Sequence, residues 1–175
     1  IPFLDGPSQD ADLAVWHGHS DAAGGAVLMH DLLLPLASPA LLADAGGVQT
    51  PADLAGLPLL RTPVEPWTPW FQAAGLEWPE PDQGPRLVDL GMTLEAALCH
   101  QGVALARPSL ARHALRDGRL RPVLGAGQTP VARPQTDYYL MPHEVDGAVA
   151  AVAAWLHDAC AAAAAEGLSL ISGPA

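Results

Sequence analysis

The sequence predicts an α/β fold in two lobes, and three observations lead there. Short apolar stretches of strand length alternate with helical stretches that open on Ser-Pro or Thr-Pro and stop at Gly. The charge is segregated: all eight arginines lie between Arg61 and Arg133, while residues 1–35 and 140–175 carry five and four acidic groups and no base. Finally, the apolar run 31–38 (DLLLPLAS) contains Pro35, which suits a sheet edge, a strand end or a crossing between lobes. The two chain ends share a composition that the middle lacks. We therefore expect a discontinuous first lobe from residues 1–35 and 140–175, and a second lobe from 36–139.

In chain order, ADLAVW at 11–16 reads as a strand and 17–25 as a polar, Gly-rich loop. Ser38 then caps a short helix with Pro39 at its first position and Gly46 beyond its end. Thr50-Pro51-Ala52-Asp53 repeats this grammar, with Asp53 placed for the positive helix end. PLLR at 58–61 is a strand, Thr68-Pro69 opens a helix that Gly75 stops, and 78–85 (WPEPDQGP) is a loop. RLVDL at 86–90 reads as strand and 93–101 as helix. VALA at 103–106 is a buried strand, 109–116 a helix, and 119–124 a strand. DYYLM at 137–141 is the last strand. A terminal helix over 145–165 places Val149, Val152, Ala153, Leu156 and Cys160 on one buried stripe. Strands alternating with helices suggest a largely parallel sheet.

Composition excludes several classes. The chain has 175 residues, half of them apolar, and a net charge of −11 from nineteen acids against eight arginines and no lysine. Such a surface repels phosphate backbones and anionic lipid. Two cysteines, Cys99 and Cys160, cannot make a disulfide scaffold or a four-thiolate zinc site. No apolar run approaches the roughly 18 residues a membrane span needs. There is no G-x-S-x-G elbow, phosphate-cradling Walker loop or dinucleotide fingerprint. Ile1 reads as a cut end, with sequence missing before it.

Several stretches, in order, resemble the effector-binding domain of LysR-type transcriptional regulators. They are DADLAVWHG at 10–18, LASPALL at 36–42, TPADLAGLPLLR at 50–61, PWTPWFQAAGL at 66–76, the long run 93–124 and YYLMPHE at 138–144. The W-x-x-W-F-x-A-A-G stretch and the E-A-A-L…G-V-A-L-A…G-R-L run are most similar to activators of glycine-cleavage and β-lactamase operons. The resemblance implies a two-lobed periplasmic-binding-protein-like (type II) fold with two crossover strands, the first lobe incomplete here. It also implies a small-molecule effector in the cleft between lobes and homodimers, or homotetramers of the full-length protein. DNA would be met only through an N-terminal winged helix-turn-helix absent from this sequence. The expected location is the cytoplasm, with no membrane partner, no cofactor and no enzymatic activity.

Candidate effector contacts follow. Gly91, Met92 and Thr93 form a strand-to-helix turn, the place where open α/β sheets bind ligands; an ordinary helix cap is the alternative. Pro66 and Trp67 match a cleft-lining loop, though Trp67 also suits the core. Tyr138 matches a family position that contacts the effector, against a plain amphipathic strand Tyr. Trp16 and His17 end a strand at the expected cleft mouth. His17-Gly18-His19 lacks the partners of a metal site. His100 and His113 read as solvated helix faces. Cys99 and Cys160 fall on different lobes, which disfavours a redox pair. The rival functions are a periplasmic solute-binding protein, which an upstream signal peptide would mark, and a small α/β hydrolase or transferase, which needs a nucleophile–base pair.

Overall fold

In the computed structural model, residues 11–19, 25–142 and 146–173 are described. The strands are β1 (Leu13–Gly18), β2 (Ala26–Met29), β3 (Leu34–Ala37), β4 (Leu59–Leu60), β5 (Val103–Ala106), β6 (Arg121–Pro122) and β7 (Asp137–Pro142). The helices are α1 (Pro39–Asp44), α2 (Thr68–Ala73), α3 (Leu90–Leu98), α4 (Pro108–Arg116) and α5 (Gly147–Ile171), with a 3-10 helix at Pro51–Gly56. Two compact units result, one from Ile1–His30 and Gln135–Ala164, the other from Asp31–Pro134 and Ala165–Ala175.

The boundaries differ from the composition-based ones for physical reasons. Residues 31–35 join the middle body because β3 is an interior strand there, antiparallel to β5 and β6. Leu33 also exchanges both backbone hydrogen bonds with Ala132. Residues 165–175 join it because Ile171 lies in its core and accepts the Gly127 N–H at 2.7 Å. Residues 135–139 go with the ends because β7 pairs with β1 and β2.

In the first unit, β7 is the central strand of a three-stranded antiparallel sheet in the order β1-β7-β2. The four-residue β2 follows the Gly-rich stretch and had no counterpart in the sequence reading. In the second unit the order is β4-β5-β3-β6, and only β4–β5 is parallel. The expected largely parallel sheet is thus a mixed one. Pro35 sits inside this sheet rather than at its edge. Its carbonyl accepts the Val123 N–H at 3.2 Å, so its missing donor faces Val123, just past the end of the two-residue β6, where the ladder stops.

Strand alternation builds two cores on this sheet. Along β5, Ala104 and Ala106 face Leu94, Ala97, Ala111 and Ile171, while Val103 and Leu105 face Leu54, Trp67, Trp70 and Phe71. Each fully buried large side chain contributes about 1.5–3 kcal/mol. The helix starts follow the sequence: Ser38 accepts the Leu41 N–H, and Asp53 accepts the Gln49 and Thr50 N–H groups. The expected strand 86–90 shrinks to one bridge, Arg61 with Arg86. Asp89 ends it by capping α3, its carboxylate accepting the Met92 N–H at 3.0 Å.

The expected terminal helix runs on to Ile171; its proposed start at Val145 lies outside the described residues, as do residues 20–24 of the loop. Its stripe is half-buried at Val149, Ala153, Leu156 and Cys160 and becomes buried at Ala164, Gly167 and Ile171. Val152 departs from the stripe at 49% exposed, beside Trp155 at 65%. The expectation that no stretch reaches membrane-span length is also corrected. By length and composition alone α5 qualifies, with 25 residues and an 18-residue window of mean hydropathy 1.5, because alanines carry the average over His157 and Asp158.

Candidate functional site

The expected contact residues divide between the two units. In the first, β1 and β7 place His17 directly opposite Tyr138 and Trp16 opposite Tyr139. Successive strand residues point to opposite faces. His17 therefore shares a face with Tyr138, their rings 4.6 Å apart at 33°, and its Nε2 lies 2.9 Å from the Thr136 hydroxyl. Trp16 turns to the other face, against the buried Tyr139 at 6.1 Å. Its ring lies over Gly18, where an added Cβ would come within 2.4 Å of it. Trp16 and His17 thus cannot line one surface together. The sequence pattern showed neither this division nor Thr136, because register across strands is long-range information.

In the second unit, Gly91 and Met92 are exposed in the first turn of α3, with Met92 at 55%. Thr93 is buried, and its hydroxyl donates inward to the Asp89 carbonyl at 2.9 Å. Trp67 is corrected to the core. It is fully buried between Trp70 and Phe71, and its indole N–H donates to the Leu60 carbonyl at 2.9 Å, so no polar edge remains for a ligand. The neighbouring Pro66 is half-buried. An open groove of about 310 Å³ in this unit, lined by Leu54, Leu57, Phe71, Trp78 and Gly84 among others, includes none of the expected residues.

The strongest electrostatics lie elsewhere. At the start of α4, Arg107 donates through Nε and Nη2 to Glu65 Oε1 at 2.6 and 2.5 Å, both side chains 1% exposed. Beside it Ser109 donates its hydroxyl to Asp31, whose carboxylate also accepts the Leu32 N–H at 2.9 Å. Burial pushes the Asp31 carboxyl above its ordinary value, and the bonds from Ser109 and Leu32 with the Arg107 charge pull part of that back. Sequence reasoning missed this quartet. Its one local signal was an Arg-Pro-Ser helix start with no acid in the first turn.

His100 is not a plain solvated face: its backbone is left-handed at φ 61°, and its Nδ1 lies 2.6 Å from the buried Ser38 hydroxyl. Among the described residues no group of three or more His, Cys, Asp or Glu is arranged to hold a metal ion, and Cys99 and Cys160 form no disulfide.

Comparison with known proteins decides the family. The model of the LysR substrate binding domain matches residues 7–161. This chain belongs to that family. The glycine cleavage system transcriptional activator of Escherichia coli is 33% identical over 162 residues, covering 91% of this chain and 52% of the relative. The HTH-type transcriptional activator AmpR of Citrobacter freundii is 39% identical over 107 residues, 60% of this chain and 34% of the relative. The chain thus spans about half, or less, of the curated relatives it matches. Among solved structures, the effector domain of the transcriptional regulator AmpR of Pseudomonas aeruginosa has a TM-score of 0.67 at 30% identity, covering 90% of this chain and 75% of that one. The AmpR effector-binding domain of Citrobacter freundii gives 0.67 at 26% identity, with 84% and 73% covered. The LysR-domain fold is α/β and periplasmic-binding-protein-like, as the resemblance implied. The family is one of transcriptional regulators rather than enzymes.

Proposed function

We propose that this LysR substrate-binding domain is the sensing part of a bacterial transcriptional regulator that binds a small-molecule effector. The observation that carries the reading is the family match over residues 7–161 together with relatives described as transcriptional activators. His17, Thr136 and Tyr138 from the first unit, with Pro66, Gly91 and Met92 from the second, are the proposed contacts. They offer a ring face, hydroxyls and one flexible apolar side chain, which suits a ligand with both polar and apolar surface. Effector binding shifts the population between two arrangements, to the extent that it prefers one. DNA contact, a cytoplasmic location and homo-oligomer assembly belong to the whole regulator. The exposed apolar Val152 and Trp155 on α5 favour self-association.

Thermal-shift screening of the whole regulator against amino acids, purines and peptidoglycan fragments tests the reading. An effector at about a hundredfold over its Kd adds about 2.7 kcal/mol of stability. That gain should shrink in Tyr138→Ala and Met92→Ala. Equal gains in both variants and the unaltered protein would remove these residues from the site.

A further inference from the structure

The helix starts of the second unit fall into two kinds. α1 and α3 are capped by the residues before them, Ser38 and Asp89. α2 and α4 receive nothing from their own cap positions, Trp67 and Arg107. The N–H groups at their starts are met by carboxylates from distant sequence. Glu80 accepts from the Trp67 and Thr68 N–H groups at 3.1 and 2.9 Å and from the Thr68 hydroxyl at 2.8 Å. Asp31 accepts from the Ser109 hydroxyl and Ser109 N–H.

Only one of these distant caps stands where the chain changes units. His30 is the last residue of the first unit and Asp31 the first of the second; the chain returns between Pro134 and Gln135 and passes to the second unit again between Ala164 and Ala165, within α5. Just inside that crossing, Leu33 is bonded to Ala132 across the outgoing segment at 2.8 and 2.9 Å. Residues 31 and 32 precede β3 and have no ladder bonds of their own, so a turn of the crossing would be absorbed there if nothing tethered it. Asp31 is that tether, 6% exposed and bonded to the first turn of α4. A Ser or Asp at position 107 would cap α4 locally without burying a carboxylate from afar. The chain instead has Arg107 there, and its charge faces both Asp31 and Glu65.

We propose that Asp31 is a positioning residue of the sensing domain, joining the incoming crossing to the start of α4 so that displacement of one is carried to the other. The proposal rests on the sensing role, but its test uses no effector, so it stands or falls separately from effector binding. Asp31→Asn and Ser109→Ala in the whole regulator are compared with Glu80→Gln, which weakens a distant cap away from the crossing. Amide hydrogen exchange should rise at least tenfold together at residues 32–37 and 108–111 in Asp31→Asn, and more weakly at the same two places in Ser109→Ala. Glu80→Gln should raise exchange at 67–70 alone. Spin labels on Val15→Cys and Leu110→Cys, both exposed sites in different units, give the second readout in a background with Cys99 and Cys160 replaced by serine. Their distance distribution should broaden in Asp31→Asn and Ser109→Ala and stay unchanged in Glu80→Gln. Loosening of 108–111 without 32–37, or equal broadening in Glu80→Gln, would reduce Asp31 to an ordinary helix cap and overturn the proposal.

Discussion

The 3-10 helix and α4 both begin with Pro and both depend on an aspartate, yet the two aspartates behave in opposite ways. Asp53 sits three residues into its own helix. The Thr50 and Gln49 N–H groups hold its exposed carboxyl below the usual carboxylate value. Asp31 comes from 78 positions before Ser109, is buried, and has its carboxyl pushed up by that burial. Asp53 stays in water and costs little. Asp31 is carried into the interior, and in exchange it ties separate stretches of chain together.

The largest expected effect comes from cutting the quartet at the start of α4. Arg107→Ala leaves Glu65 buried without its cation and should cost about 3–5 kcal/mol in denaturant unfolding. Replacing Glu80 with Ala strips three bonds from the start of α2 and should cost about 1–3 kcal/mol. Ser38→Ala removes a local cap and should cost about 1 kcal/mol. A Ser38→Ala loss as large as that from replacing Glu80 would erase the distinction between near and distant caps.

Acidity sharpens the same contrast through its sign. Asp31 has a raised folded-state value, so the folded protein binds its proton more tightly than the unfolded chain does. Its contribution to stability is therefore greatest at low pH and falls as pH rises from about 3.8 through the folded value. Asp53 does the reverse: its contribution is present above 3.8 and fades as pH falls through its lowered folded value. Carboxyl titration by NMR should show the two shifted in opposite directions, with Ser109→Ala driving Asp31 higher still. Unfolding measured across acidic pH should lose the Asp31 contribution in Asp31→Asn. The smallest effect belongs to Arg116, whose exposed pair with Glu166 should change stability within error when replaced by Ala.

The near caps Ser38 and Asp53 were legible in the sequence; the near cap Asp89 and both distant ones were not. Ser38-Pro39, Thr50-Pro51-Ala52-Asp53 and the strand 103–106 announce themselves through residues a few positions apart. Nothing near Trp67 names Glu80, and nothing near Ser109 names Asp31. The same limit explains the site. The type of each residue at 16, 17 and 138 was readable, but only the β1–β7 register separates Trp16 from His17 and sets Tyr138 beside the latter. Trp67 went to the core because its indole found the Leu60 carbonyl, a partner seven residues back that periodicity does not reveal. The strand expected at 86–90 failed because Asp89 favours a helix start over a ladder.

The tail of the chain is also a keystone of the second unit. Ile171 plugs a core built mostly by residues 34–120, and Gly167 lies so close to the Pro108–Ser109 backbone that an added methyl would sit 2.6 Å from it. Trimming the last eleven residues, or crowding them with a fusion partner, would unsettle α4 and the aspartate it meets. A shortened version made for expression must keep residues 165–173.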